Sequence, residues 1–160
     1  MIEVKVAGVL FDNQTNSPVM LLKELDGNKI LPIFIGPVEA TAIIYALDNI
    51  NLSRPLTIDL LKLVIDGLKA KVTRVLINNL KNDTFFAEII IENNGKILAV
   101  DARPSDSVGL AVRTKIPIYV ADEVMNTAGI IMTEQDEARL SELRDSIRNI
   151  PPEELGNYKM

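Results

Sequence analysis

The stretch Asp101-Ala102-Arg103-Pro104-Ser105-Asp106-Ser107 sets two acids, one arginine and two hydroxyls side by side. It follows an apolar run, residues 96–100, that reads as a strand, and it precedes a helical pattern from Val108 to Arg113. Such a strand-to-helix corner lets a rigid scaffold aim short polar side chains outward. Pro104 suits the first helical position, where its missing N–H costs nothing. Asp106 then falls in the first turn, at the positive end of the helix dipole. Two other helix starts have a related form: Arg54-Pro55 precedes Thr57 and Asp59, and Gly36-Pro37 precedes Glu39. If the three starts meet, Glu39, Asp59, Asp101 and Asp106 gather with Arg54, Arg103 and Arg113. Clustered carboxylates, with Asp59, Asp101 and Asp106 as the expected ligands, can hold Mg²⁺ or Mn²⁺. Such an ion lowers the pKa of a bound water enough for it to attack a phosphodiester. The arginines would grip phosphate through a planar fork that lysine lacks. Taken singly, each acid reads more readily as helix capping than as catalysis, and the arginines as ties between loops. Thr57 by itself reads as a cap and Ser105 as a second-turn hydroxyl with no role.

Composition narrows the chemistry further. The chain has no His and no Cys, so the usual catalytic triads, a His general base, disulfides and thiolate zinc sites are all excluded. Any metal must be held by oxygen ligands, which favours Mg, Mn or Ca. The net charge of −5, from 22 acids against 17 bases, argues against a chain built to grip polyanions over a broad basic surface. A small local basic site remains open. With 48% apolar residues the 160-residue chain can build a real core. The opening Met1-Ile2-Glu3-Val4-Lys5 lacks a signal-peptide layout, and no apolar run approaches a membrane span. A cytoplasmic protein with no membrane contact is expected. The bias toward Ile, Leu, Val, Lys and Glu suits a thermophile.

The elements that must position these residues follow from periodicity and turn signals. Residues 2–11, 19–25 and 30–35 read as strands of a first meander, joined by turn residues at 12–18 and by Asp26-Gly27-Asn28-Lys29. Pro32 marks an edge or a bulge. A largely buried helix starts at Gly36-Pro37, and a second runs from Leu56 to Lys69 with the stripe Leu56, Leu60, Leu61, Val64, Ile65 and Leu68. Residues 71–78, 84–92 and 96–100 form a second meander, turned at Asn82-Asp83 and Asn93-Asn94-Gly95. After the helix at 104–113, Ile118-Tyr119-Val120 is a short strand, and the strand–helix–strand order permits one parallel pairing. Thr133-Glu134-Gln135-Asp136 has the form of a capping box. It opens a C-terminal helix whose narrow stripe is Leu140, Leu143, Ile147 and Ile150. The expected fold is α+β: a mostly antiparallel mixed sheet from two three-strand meanders, packed with several helices, plus the C-terminal helix. Residues 1–130 form the domain, 131–150 the appended helix, and 151–160 a flexible tail. The narrow stripe suits pairing with a second copy, so a homodimer or higher homo-oligomer is expected.

Three separated motifs carry a family resemblance. Leu31-Pro32-Ile33-Phe34-Ile35-Gly36 with Glu39-Ala40, then Arg54-Pro55-Leu56-Thr57-Ile58-Asp59-Leu60, then Asp101-Ala102-Arg103-Pro104-Ser105-Asp106 with Arg113, resemble the bifunctional nuclease domain family over roughly residues 1–130. The resemblance implies a nuclease of RNA and DNA, and the clustered carboxylates would give it a bound divalent metal. It carries over Glu39, Arg54, Thr57, Asp59, Asp101, Arg103, Ser105 and Asp106. The expected site then has Glu39, Asp59, Asp101 and Asp106 as catalytic acids, and Arg54, Arg103, Arg113, Thr57 and Ser105 as phosphate-binding residues. Many members of that family carry a histidine where this chain has Ile58. The alternative expectation is a non-enzymatic regulatory or ligand-binding module in which the same polar corners are structural.

Overall fold

The computed structural model describes residues 1–139 and 142. In chain order its elements are β1 (Ile2–Asp12), β2 (Ser17–Glu24), β3 (Lys29–Phe34), α1 (Pro37–Leu47), α2 (Thr57–Gly67), β4 (Lys71–Lys81), β5 (Thr84–Asn93), β6 (Lys96–Ala102), α3 (Pro104–Thr114), β7 (Ile118–Val120), α4 (Asp122–Ala128) and β8 (Ile130–Ile131). The described strands form one sheet in the order β6-β5-β4-β7-β1-β2-β3-β8. Both meanders are present, so the α+β reading holds. β7 joins them, antiparallel to β1 and parallel to β4. The parallel pairing is therefore with β4 and not with β6, the strand before α3. β5 and β6 fold away as hairpins and leave the inner edge of β4 free. α4 and β8 are too short to leave a periodic signal in the sequence. Among the described residues no helix is long and apolar enough to cross a membrane.

Turn chemistry fixes the hairpins of the second meander. Asn94 and Gly95, at φ 51° and 74°, join β5 to β6, and Asn82 and Asp83, at φ 49° and 58°, join β4 to β5. Two adjacent residues at positive φ match the right-handed twist of the flanking strands. The register breaks between Val6 and Gly8 in β1 and between Val72 and Arg74 in β4. Each bulge switches the side-chain parity of its strand. Val4 and Val9 can therefore face one core, as can Val72 and Val75.

That core lies between the sheet and the helices, with Met20, Leu22, Leu31, Ile43, Val75, Ile77, Val108, Leu110 and Val120 fully or almost fully buried. A small second cluster of Leu21, Ile30 and Met132 lies on the opposite face of β2 and β3, as the strand alternation requires. Thr133 and Asp136 form the expected capping box: the Asp136 carboxylate accepts the Thr133 N–H at 2.9 Å, and the Thr133 hydroxyl accepts the Asp136 N–H at 3.3 Å. The helix so opened runs through residue 139. The stripe Leu140, Leu143, Ile147 and Ile150 and the tail 151–160 fall outside the described residues.

The sheet curls around its helices. β3 and β6 stand six ranks apart, which a flat sheet would separate by about 29 Å. Yet the helices that follow them start against each other, joined by an ion pair between Glu39 and Arg103. A twist of about 20–25° per strand turns the direction by roughly 130° over six ranks. That brings the C-terminal ends of two oppositely directed strands round to one side. α4, which packs on both β3 and β4, fills the same concavity.

Candidate functional site at the α1 and α3 starts

Arg103 is the N-cap residue of α3, with Pro104 and Asp106 in the first turn. Its side chain does not cap. It lies across two helix starts. Nε and Nη2 donate to the two carboxylate oxygens of Asp106 at 2.7 and 3.1 Å, the bidentate geometry of a guanidinium fork. Nη1 meets Glu39 Oε1 at 2.9 Å. The Asp106 hydrogen bond, then its charge and the charge of Glu39, raise the Arg103 pKa above its ordinary value. Arg103 nonetheless stays 65% exposed, against 21% for Glu39 and 32% for Asp106. One cation is thus held at a surface corner by two acids, each in the first turn of its own helix.

Local sequence explains the placement. Pro37 and Pro104 fix the first helical residue of α1 and α3. Glu39 folds back over Gly36, so closely that a Cβ there would sit on its carboxylate. Gly36 has φ −75°, an ordinary conformation, so what its missing side chain supplies is clearance for the Glu39 carboxylate. Ser107, fully buried, donates to the Pro104 carbonyl at 3.0 Å and ties the first turn of α3. Ser105 is 7% exposed, and among the described residues no group takes up its hydroxyl.

The third helix start does not join this corner. Asp59 and Arg113 form an ion pair at the other end of α3, seven residues beyond Asp106 and so about 10 Å along the helix. Arg113 also donates to the Gly109 carbonyl at 3.3 Å, and Asp59 accepts the Leu56 N–H at 2.9 Å. Leu56 has no hydroxyl to return that bond, so the α2 start has half a capping box. Between the two ion-pair nodes lies Gly109, where an added Cβ would meet Ile43 of α1 at 3.7 Å and Ile58 of α2 at 3.8 Å. Ile58 therefore packs at a three-helix junction. Thr57 and Arg54 are exposed, and Arg54 has no ion-pair partner among the described residues. Asp101 is exposed on β6, directly opposite Glu88 of β5.

The sequence pattern groups all these residues. The structure brings Glu39, Arg103 and Asp106 together, with Ser105 and Asp101 near them in the chain, and it pairs Asp59 with Arg113 apart from them. Sequence reasoning missed the clearance at Gly36 and the junction at Gly109, which no spacing rule marks. Among the described residues no three carboxylates are grouped so as to hold a metal ion. Guanidinium groups hold Glu39, Asp106 and Asp59 instead.

A family model described as the bifunctional nuclease domain matches residues 20–133. An uncharacterized protein of Mycobacterium tuberculosis is 40% identical over 144 residues, covering 89% of this chain and 86% of that protein. Bifunctional nuclease 2 of Oryza sativa subsp. japonica is 30% identical over 117 residues, 71% of this chain and 36% of the rice protein. Bifunctional nuclease 1 of Arabidopsis thaliana is 30% identical over 107 residues, 64% of this chain and 33% of the plant protein. The chain thus spans about a third of each plant nuclease it matches. With a family match over most of its length, the chain belongs to the bifunctional nuclease domain family.

Proposed function

We propose that this chain hydrolyses phosphodiester bonds of RNA and DNA at the corner formed by Arg103, Asp106, Ser105 and Glu39. The observation that carries the reading is the guanidinium fork of Arg103, exposed and pre-oriented by two acids. A phosphate has the same bidentate acceptor geometry as the Asp106 carboxylate and can replace it on the fork. Asp106, so released, stands beside the bound phosphate, where its carboxylate is free either to take the proton of the attacking water or to hold a divalent ion. The Ser105 hydroxyl, at the start of α3, is a further donor to a phosphate oxygen. Glu39 keeps Arg103 in position. Asp59 and Arg113, at the far end of α3, brace the α2–α3 contact.

A divalent ion enters this reading in one form. Mg²⁺ is commonly held by one or two carboxylates together with substrate phosphates, without a closed protein cage, and Asp101 and Asp106 are the two that would hold Mg²⁺ or Mn²⁺ here. Its chemistry would be to neutralise charge at the phosphate. The test is hydrolysis of labelled single- and double-stranded RNA and DNA with Mg²⁺, Mn²⁺ or EDTA. Cleavage that needs the divalent ion and is lost in Asp101→Asn/Asp106→Asn supports the reading. Cleavage unchanged in that double variant removes the site assignment.

A second reading, a ligand-binding module without turnover, has one observation in its favour. The acids and Arg103 satisfy one another, and Ile58 occupies an apolar junction. Thermal stabilisation by nucleotides with no product formed would select it.

A further inference from the structure

The two-residue turn at Asn94-Gly95 makes Asn93 and Lys96 a hydrogen-bonded pair, and such pairs alternate along an antiparallel ladder. Lys96, Leu98, Val100 and Ala102 therefore direct their N–H and C=O groups to β5, while those of Ile97, Ala99 and Asp101 point away from it. No described strand lies on that outer side, and these three residues are exposed. Ala99 is the midpoint of β6, so a two-fold axis through it pairs all seven residues of the strand with a second copy. Ala99 then bonds its own counterpart and Ile97 bonds Asp101, so every outward group finds a partner and no like charges meet. In that register the second copy's Lys96 falls opposite Ala102, the residue before Arg103. Ala102 packs against the main core, on the sheet face that carries α3. Residues directly opposite on neighbouring strands share a face, so the second copy's Lys96 points to that face too. Its Cα lies about 4.5 Å from that of Ala102 and within about 8 Å of that of Arg103. Lys96 is exposed and has no ion-pair partner among the described residues. The corner it enters holds one cation against two acids. We infer that β6 pairs with β6 of a second copy, and that this copy's Lys96 enters the Arg103 corner as its second phosphate-binding cation.

The inference rests on the phosphodiesterase reading above and adds a residue that one chain cannot bring to its own corner. A copy's own Lys96 lies at the far end of β6, about 20 Å from Ala102. Charge favours the pairing. A phosphate that replaces Asp106 on the Arg103 fork still faces that acid and Glu39. A second cation offsets the repulsion, and pairing supplies it without the broad basic surface that a chain of net charge −5 lacks. The two-fold axis does this at both corners alike.

The experiment has two arms. The chain has no Cys, so Ala99→Cys places a single thiol on the axis. The two Cα atoms there are about 5.5 Å apart, within disulfide range. Mild oxidation should link the two copies, whereas Ile97→Cys, whose copies stand about 14 Å apart, should not link. The second arm follows cleavage of labelled RNA and DNA oligonucleotides. Lys96→Ala should lower the rate by about 10- to 100-fold, the loss of one charge-assisted hydrogen bond, with an unchanged thermal midpoint because the side chain is exposed. Lys96→Ala and Arg103→Ala chains co-expressed at equal levels should regain about a quarter of the original rate, since half of randomly assorted pairs are mixed and one corner in each has both cations. An unlinked Ala99→Cys, or Lys96→Ala cleaving as fast as the original chain, overturns the shared site and leaves the phosphodiesterase reading standing. A slow Lys96→Ala with no recovery on co-expression confines Lys96 to its own chain and overturns the shared site as well. No cleavage by the unaltered chain overturns both.

Discussion

At the scale of single residues, Arg103 is defined by geometry more than by charge. Its Nε and Nη2 are in line with the two oxygens of Asp106 while Nη1 reaches Glu39. A lysine offers one point charge and cannot span both acids. Arg103→Lys is therefore expected to lower kcat/KM for phosphodiester cleavage by about 10- to 100-fold, the loss of one charge-assisted hydrogen bond. Since the side chain is mostly exposed, the thermal midpoint should stay nearly constant, as a melt run beside the kinetics will tell. Gly36 tests the same corner from its other side. A methyl group there displaces the Glu39 carboxylate while leaving an ordinary backbone conformation. Gly36→Ala should cost little stability and reduce activity about tenfold or more through a misplaced Arg103. Full activity in Gly36→Ala would mean that Glu39 has no part in positioning.

At the scale of elements, α3 is the axis on which the sequence reading succeeded and failed. Its start was legible, because Pro104 and Asp106 obey helix-start rules that are local. Both meanders were legible for the same reason: Asn82-Asp83 and Asn94-Gly95 specify their turns within two residues. The two nodes along α3 were not. Whether Asp59 meets Asp106 or Arg113 depends on how α2 crosses α3, and that is set by the fit of Ile58 and Ile43 onto Gly109, a tertiary fact with no spacing signature. The α2 stripe shows the same limit, since Ile65 is buried while Leu60, Val64 and Leu68 remain exposed. Two measurements probe this junction. An added methyl at Gly109 would make contacts of 3.7–3.9 Å, which are ordinary van der Waals distances. Gly109→Ala should therefore stabilise by about 0.4–1 kcal/mol, by restricting the unfolded chain, and raise the thermal midpoint by about 1–4 °C. A lowered midpoint would show that the helices cannot accept even that methyl. Asp59→Asn keeps an acceptor for the Leu56 N–H but leaves Arg113, whose side chain is 9% exposed, without its counter-charge. A loss of about 1–3 kcal/mol is expected, partly recovered in Asp59→Asn/Arg113→Met because removing both partners leaves no unpaired charge. Chemical denaturation of the two variants decides it, and an Asp59→Asn chain as stable as the original would exclude the brace.

At the scale of the whole molecule, curl decides what is hidden and what is left open. The same twist that brings α1 and α3 together leaves the sheet with two edges of unequal kind. β8, the edge beside β3, has only two residues. β6, at the opposite edge, has seven, runs in unbroken register with β5 from Lys96 to Ala102, and exposes Ile97 by 70%, Leu98 by 50% and Val100 by 43%. It has no proline or bulge, the usual devices that protect an edge. An antiparallel pairing of β6 with a second copy is self-complementary about Ala99. Each copy's Leu98 then meets the other copy's Val100 on one face, so two apolar pairs close together, as a two-fold axis requires. Self-association through β6 is the expected outcome. Light scattering should give about twice the chain mass of 17.7 kDa. Ala99→Lys, which sets two like charges opposite each other on the axis, should return the mass to that of one chain without unfolding it. If the unaltered protein scatters as a single chain at high concentration, β6 is not an interface. If Ala99→Lys leaves a dimer intact, the contact lies elsewhere.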